Sequence, residues 1–223
     1  MIRKFEWMLA ILAALSPTAA AQQTSCPEIG NKPGLTSKLA VYLCFQDEDS
    51  KIRHLEIPSP DGSVLLVVDG NEAKFTENGR VISGPFLVVD DADIIWSPDS
   101  RAIILDFSLG GQGPGRAGVI YVRQEVADVP DITELIVNDF VSRHPGNLCS
   151  DAANITGLSW VNGSNSAVFI AQEPSSSSCG SMIGYFEAYI VSIPEGNILA
   201  RYSQRETVRR WRKTLISEML EDK

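Results

Sequence analysis

Histidine is almost missing from this chain: His54 and His144 are the only two among 223 residues, and cysteine occurs four times, at Cys26, Cys44, Cys149 and Cys179. No C-x-x-C pair exists, so a tetrahedral zinc centre, which needs four nitrogen or sulfur ligands close together, is not expected. There is no G-x-S-x-G, hence no nucleophile elbow. After the first 21 residues no stretch holds 18 consecutive apolar residues, so no membrane-spanning helix is expected either. Positive charge is also scarce. Nineteen Lys and Arg stand against 28 Asp and Glu, a formal net charge of −9, which repels nucleic acid and anionic lipid in general. The reading is of a chain with no catalytic constellation, no metal site and no cofactor.

What is present begins with an address. Arg3 and Lys4 lead into an apolar stretch from Trp7 to Leu15, then Pro17 and Ala19-Ala20-Ala21 before Gln22. The stretch is too short to span a bilayer of about 30 Å, and residues 1–21 are expected to be a cleaved signal peptide. A lipid anchor on Cys26 lacks its small-residue, leucine-led context in Gln-Gln-Thr-Ser. The remainder, 22–223, suits a single domain, periplasmic or secreted. An oxidising compartment makes the four cysteines an expected disulfide set. Four cysteines allow three connectivities; Cys26 with Cys44 and Cys149 with Cys179 closes local loops without threading the chain. A closed loop of about 30 residues stabilises by roughly 3.5 kcal/mol on the chain-entropy model.

The body of the chain repeats. "LEIPSPDGSVLLVVDG" at 55–70 and "IIWSPDSRAIILDF" at 94–107 each place Ser-Pro-Asp before a branched apolar run, and Pro60 and Pro98 are 38 residues apart. Pro presets φ near −65°, while Asp and the Gly or Ser after it accept the tight return, so each unit reads as strand, turn, strand. A third, degenerate copy is "ITGLSWVNGSNSAVFIAQE" at 155–173, with Trp160 in the place of Trp96. Further strands are expected at 73–75 with 81–82, at 118–122 and at 186–193, separated by Gly-Asn and Asn-Gly turns.

The pattern apolar-x-W-S-P-D-x-x-x-I/L-x-apolar resembles the TolB-type β-propeller repeat, over 55–122 well and 155–199 loosely. The resemblance implies a mainly β fold: a small or incomplete propeller-like antiparallel meander. Closed propellers have about 4 to 8 blades. Either residues 39–57 supply a fourth blade or the sheets stack as an open array. The second half, with its Cys-bounded Ser-rich loop, also resembles small exported bacterial proteins of unassigned activity.

Two accessory helices interrupt the meander. Asp131 with Glu134 has capping spacing, and Ile132, Leu135, Ile136 and Phe140 share a face up to His144-Pro145-Gly146. Ser203 with Glu206 opens the second, expected over about 204–221, where Val208, Trp211, Leu215 and Met219 line one face and Arg209, Arg210, Arg212 and Lys213 fall mostly off it. That basic side is expected to pair with acids of its own domain, the alternative being anionic lipid or an acidic partner.

Other stretches carry less chemistry. "LGGQGPGRAG" at 109–118 has Arg116 where a phosphate loop needs Lys, and Pro114 removes an amide donor, so it reads as a loop with Arg116 as a partner-binding tip. Asp90, Asp91 and Asp93 lack calcium-loop register and read as a solvated turn. His54 lies among strand residues and His144 in a helix stop. The Ser-rich loop at 173–185, pinned by Cys179, offers Ser176, Ser177 and Tyr185 as further partner-binding candidates. Together these lead to a non-enzymatic binding or scaffolding protein whose partner is a protein or envelope component. The alternatives are a cell-envelope hydrolase using surface carboxylates, Asp91 and Asp93 among them, and a self-associating structural protein.

Overall fold

A computed structural model describes residues 40–43, 54–87, 92–107, 114–123, 131–145, 153–174 and 182–215. The signal segment, all four cysteines, Asp90, Asp91, Ser176 and Ser177 lie outside these residues. Twelve strands and two helices are described: β1 Ala40–Leu43, β2 His54–Pro58, β3 Leu65–Asp69, β4 Glu72–Glu77, β5 Arg80–Leu87, β6 Ala92–Trp96, β7 Ala102–Phe107, β8 Arg116–Tyr121, α1 Ile132–Arg143, β9 Asn154–Val161, β10 Ser166–Gln172, β11 Phe186–Ser192, β12 Ile198–Tyr202 and α2 Gln204–Trp211. The protein is mainly β, as expected, and its pairings are antiparallel. No described helix is long and apolar enough to cross a membrane.

Three four-stranded sheets result, β2-β3-β4-β5, β1-β6-β7-β8 and β12-β11-β10-β9, and none is closed. They pack face to face in chain order. Ile57, Leu66, Val68 and Phe75 of the first meet Ile94, Trp96, Ile103 and Leu105 of the second. The opposite face of the second, through Ile95, Ala102, Ile104 and Val119, meets Ile155, Phe169, Tyr189 and Val191 of the third, with Ile132, Ile136 and Phe140 of α1. A sheet covered on both faces has no polar side to alternate with. Hence the runs Ile94-Ile95-Trp96 and Ala102-Ile103-Ile104-Leu105, which look unpatterned in sequence, are buried throughout.

Residues 39–57 build no fourth sheet among the described residues. β1 instead joins the β6 edge of the second sheet, pairing Tyr42 with Asp93, while β2 opens the first. In the second sheet no described strand pairs with β8 on the side away from β7. There Thr133 of α1 accepts from the Ala117 N–H at 3.1 Å and donates to its C=O at 2.8 Å, pairing backbone groups on the edge of β8.

The turns behave as their residues dictate. In the first, the Gly62 N–H donates to Ser59 O, and Gly62 sits at φ 73°; in the second, Ser100 donates to Ser97 O at φ 62°. Ser59 and Ser97 each donate a hydroxyl to the Asp two residues on, at 2.8 Å. The third copy replaces this turn with two consecutive positive φ values, at Asn162 and Gly163. The turns also touch in series. The Asp61 N–H donates to Ser100 Oγ at 3.2 Å, and the Asp99 N–H to Ser164 Oγ at 3.3 Å, so each turn is tied to the next along one edge of the stack.

Candidate functional site

The buried charge of the third sheet gathers around Glu187 on β11, which is 2% exposed. Arg143 at the end of α1 donates to its Oε2 at 2.6 Å, His144 Nε2 lies 3.2 Å from Oε1, Tyr185 O–H donates at 2.8 Å and Tyr189 O–H at 3.3 Å. Phe140, His144 and Tyr185 stack beside it, with ring centroids 5.1 to 6.3 Å apart. Burial and then the Glu187 hydrogen bond push the Tyr185 hydroxyl up to about 12, which keeps it a neutral donor. Burial raises Tyr189 further in the same direction. One turn back on α1, Asp139 takes two bonds from Arg201 of β12, at 2.8 and 2.6 Å; that guanidinium holds the Asp139 carboxyl below its usual range. Four groups converge on the Glu187 carboxylate, and its acceptor capacity is filled. The chemistry is that of a clamp between α1 and β11, not of a poised base.

The second constellation is outside. α2 starts with a reciprocal cap, Ser203 donating both its N–H and its O–H to Glu206 Oε2, at 3.1 and 2.9 Å, and Thr207 is buried beneath it on the Tyr202 and Ser203 carbonyls. Val208, Trp211 and Leu215 pack on Leu158, Val168, Ile170, Phe186 and Ala188, covering the outer face of the third sheet. Beyond Trp211 the last turn continues to Leu215, with the Trp211 C=O accepting from both Thr214 and Leu215; residues 216–221 of the expected helix lie outside the described residues.

On the far side Arg205, Arg209, Arg212 and Lys213 are exposed. None makes an ion pair among the described residues, so the expected pairing with the domain's own acids is not found there. Arg210 has its guanidinium 4.4 Å over the Tyr202 ring, and the Ser203 bonds, followed by the charges of Arg209 and Arg210, hold the Glu206 carboxyl below its usual range. Arg205, Arg209 and Arg212, with Glu206 and Val208, line an open groove of about 690 Å³.

The residues singled out in sequence are scattered. Arg116 is exposed at the start of β8, 4.0 Å from Asp131. Its neighbour Gly115 is stitched to β9 through Asn154 and Ile155, so this end of the Gly-rich stretch is fixed. Tyr185 is half-buried, with its hydroxyl turned inward onto Glu187. Asp93 is not in a solvated turn: it is buried in β6 opposite Asp106, because its register puts it on the face covered by the third sheet. Asp106 accepts the Gly157 N–H on both oxygens at 2.8 Å. His54 is exposed between Asp69 and Glu56, which raise its affinity for a proton. His144 belongs to the clamp.

The Glu187 clamp was missed in the sequence. Its one trace is a pair of unusual residues in β11, Glu187 and Tyr189, at positions where the period-2 pattern calls for apolar side chains. The arginines of α2 were visible as residues but not as an exposed face. Compared with protein-family models, with curated proteins and with solved structures, the chain matches none.

Proposed function

We propose that this protein is a non-enzymatic binding or scaffolding module, exported to the periplasm or beyond. Its body is read as an incomplete propeller of three TolB-like blades held by two cystines, and α2 as its interaction surface. The observation that carries the reading is the row of exposed cations on α2, which makes no direct ion pair among the described residues of a chain with net charge −9. Charges left at the surface of a rigid element cost little stability and steer a complementary partner. The three face-to-face sheets and their linked Ser-Pro-Asp turns support the blade reading. The filled Glu187 carboxylate speaks against acid-base work at the charge cluster of the third sheet.

The test immobilises the oxidised full chain and its Arg205→Glu/Arg209→Glu/Arg212→Glu variant and compares what each retains from envelope extract, alongside a polysaccharide-hydrolase screen. A component retained by the native chain, lost with the variant, and no turnover is the expected outcome. Equal retention by both, or turnover, overturns the reading.

A further inference from the structure

We infer that the α2 groove takes an extended acidic peptide segment of a partner protein, with carboxylates on alternate residues; this rests on the binding-module reading and names its ligand. Arg205, Arg209 and Arg212 share one stripe of the helix, since four and three residues bring the chain back to the same side. At about 1.5 Å per residue they are separated by roughly 6 and 4.5 Å along the axis. In an extended chain every second side chain lies on one face, about 6.6 Å apart. Two or three alternating carboxylates therefore meet the stripe, with the long arginine stems taking up the mismatch, and planar guanidinium matches planar carboxylate.

Two other anionic partners fit less well. A helix lying in a membrane interface buries its apolar face in the lipid. Here that face, Val208, Trp211 and Leu215, already covers the third sheet, and Leu215 is 3% exposed. An extended polyanion such as nucleic acid would bring many charges against a protein of net charge −9, whereas a short segment meets only the local cations. Glu206 within the groove offsets one charge of the stripe: the Ser203 bonds, and after them Arg209 and Arg210, keep its carboxyl ionised, and the three arginines still outnumber it.

The experiment titrates the full oxidised chain with six-residue peptides bearing a neutral fluorophore, read by anisotropy. One alternates glutamate with serine; a second carries the same three glutamates in a block. The alternating peptide is expected to bind about 3-fold tighter than the block. Each Arg→Gln change at 205, 209 or 212 is expected to weaken it about 3-fold, in line with exposed ion pairs. Arg210→Gln, whose guanidinium is on Tyr202, should change it less than 2-fold. Raising salt from 0.05 to 0.5 M should weaken it at least roughly 10-fold. Urea midpoints confirm that the variants are folded. Equal binding of the two peptides overturns the register. Tighter binding of inorganic phosphate or of phosphatidylglycerol vesicles, lost with the same arginines, overturns the peptide ligand but leaves a binding module. A salt-sensitive dimer by light scattering makes a second copy the occupant and overturns it as well. No binding of any probe removes both this inference and the reading beneath it.

Discussion

Arg143 and Arg201 lie on one side of the third sheet, Arg205, Arg209 and Arg212 on the other, and their circumstances differ. The first two meet carboxylates at hydrogen-bond distance, Glu187 and Asp139, in a setting where Glu187 is almost wholly buried. The other three stand in solvent on a helix whose adjoining face, through Val208, Trp211 and Leu215, is fastened to the sheet. One set of guanidiniums binds the chain to itself and the other faces outward. The difference is set by geometry: α1 is drawn into the gap between two sheets by Ile132, Ile136 and Phe140, and takes its charged end with it. α2 caps the end of the stack, where only one of its faces can be covered.

The comparison can be broken first on the inside. Glu187→Ala leaves the Tyr189 hydroxyl buried and Arg143 without its acceptor, and should destabilise the fold by about 3 kcal/mol in urea melts. Tyr185→Phe removes one donor of the four and should cost about 1 kcal/mol by the same measurement. Between these falls a test of how tightly the second and third sheets meet. A Cβ at Gly157 would collide with Ile104 Cγ2 and come within 3.0 Å of Asp106 Oδ1, so Gly157→Ala should lose about 2 kcal/mol by overpacking.

Acid offers a gentler lever. Burial raises Asp99, but Ser164, Ser97 and Arg101 together outweigh it and hold the carboxyl at about 2. Its folded value lies below the unfolded one, so its stabilisation is complete above about pH 4 and is lost as pH falls towards 2. In Ser97→Ala the acid branch of the stability curve, followed by circular dichroism, should be shallower over that window. The smallest effect is expected outside: Arg205→Glu/Arg209→Glu/Arg212→Glu should shift stability by less than about 0.5 kcal/mol, because these exposed side chains make no direct ion pair among the described residues.

How much of this was legible depends on range. Turn chemistry and helix caps act within a few residues, and the Ser59 and Ser97 turns, the Asp131 and Ser203 caps and the apolar stripe of α2 sit where their residues imply. Strands after each copy also fall close to their expected places, because period and turn spacing are local. Sheet membership is not local. The pairing of β1 with β6 joins residues some 50 apart, past the whole first sheet, and no pattern in Ala40–Leu43 selects that edge. Asp93 looks like a loop acid until β6 pairs with β7 and the Asp93 side chain is buried opposite Asp106. The Glu187 clamp draws on α1 and β11, more than 40 residues apart, so none of its members announces another. The exposed arginines of α2 were readable as a basic run, but whether acids would answer them depended on which face the sheet covered.

The most direct measurement is a ¹⁵N amide map of the native chain with the alternating glutamate peptide added. Shifts concentrated from Arg205 to Lys213, with Glu187 and Tyr189 unmoved, are expected if the outer cations form the interface and the inner ones the clamp. Shifts centred on His144, Tyr185 and Glu187, or spread over the sheets without reaching α2, would contradict it.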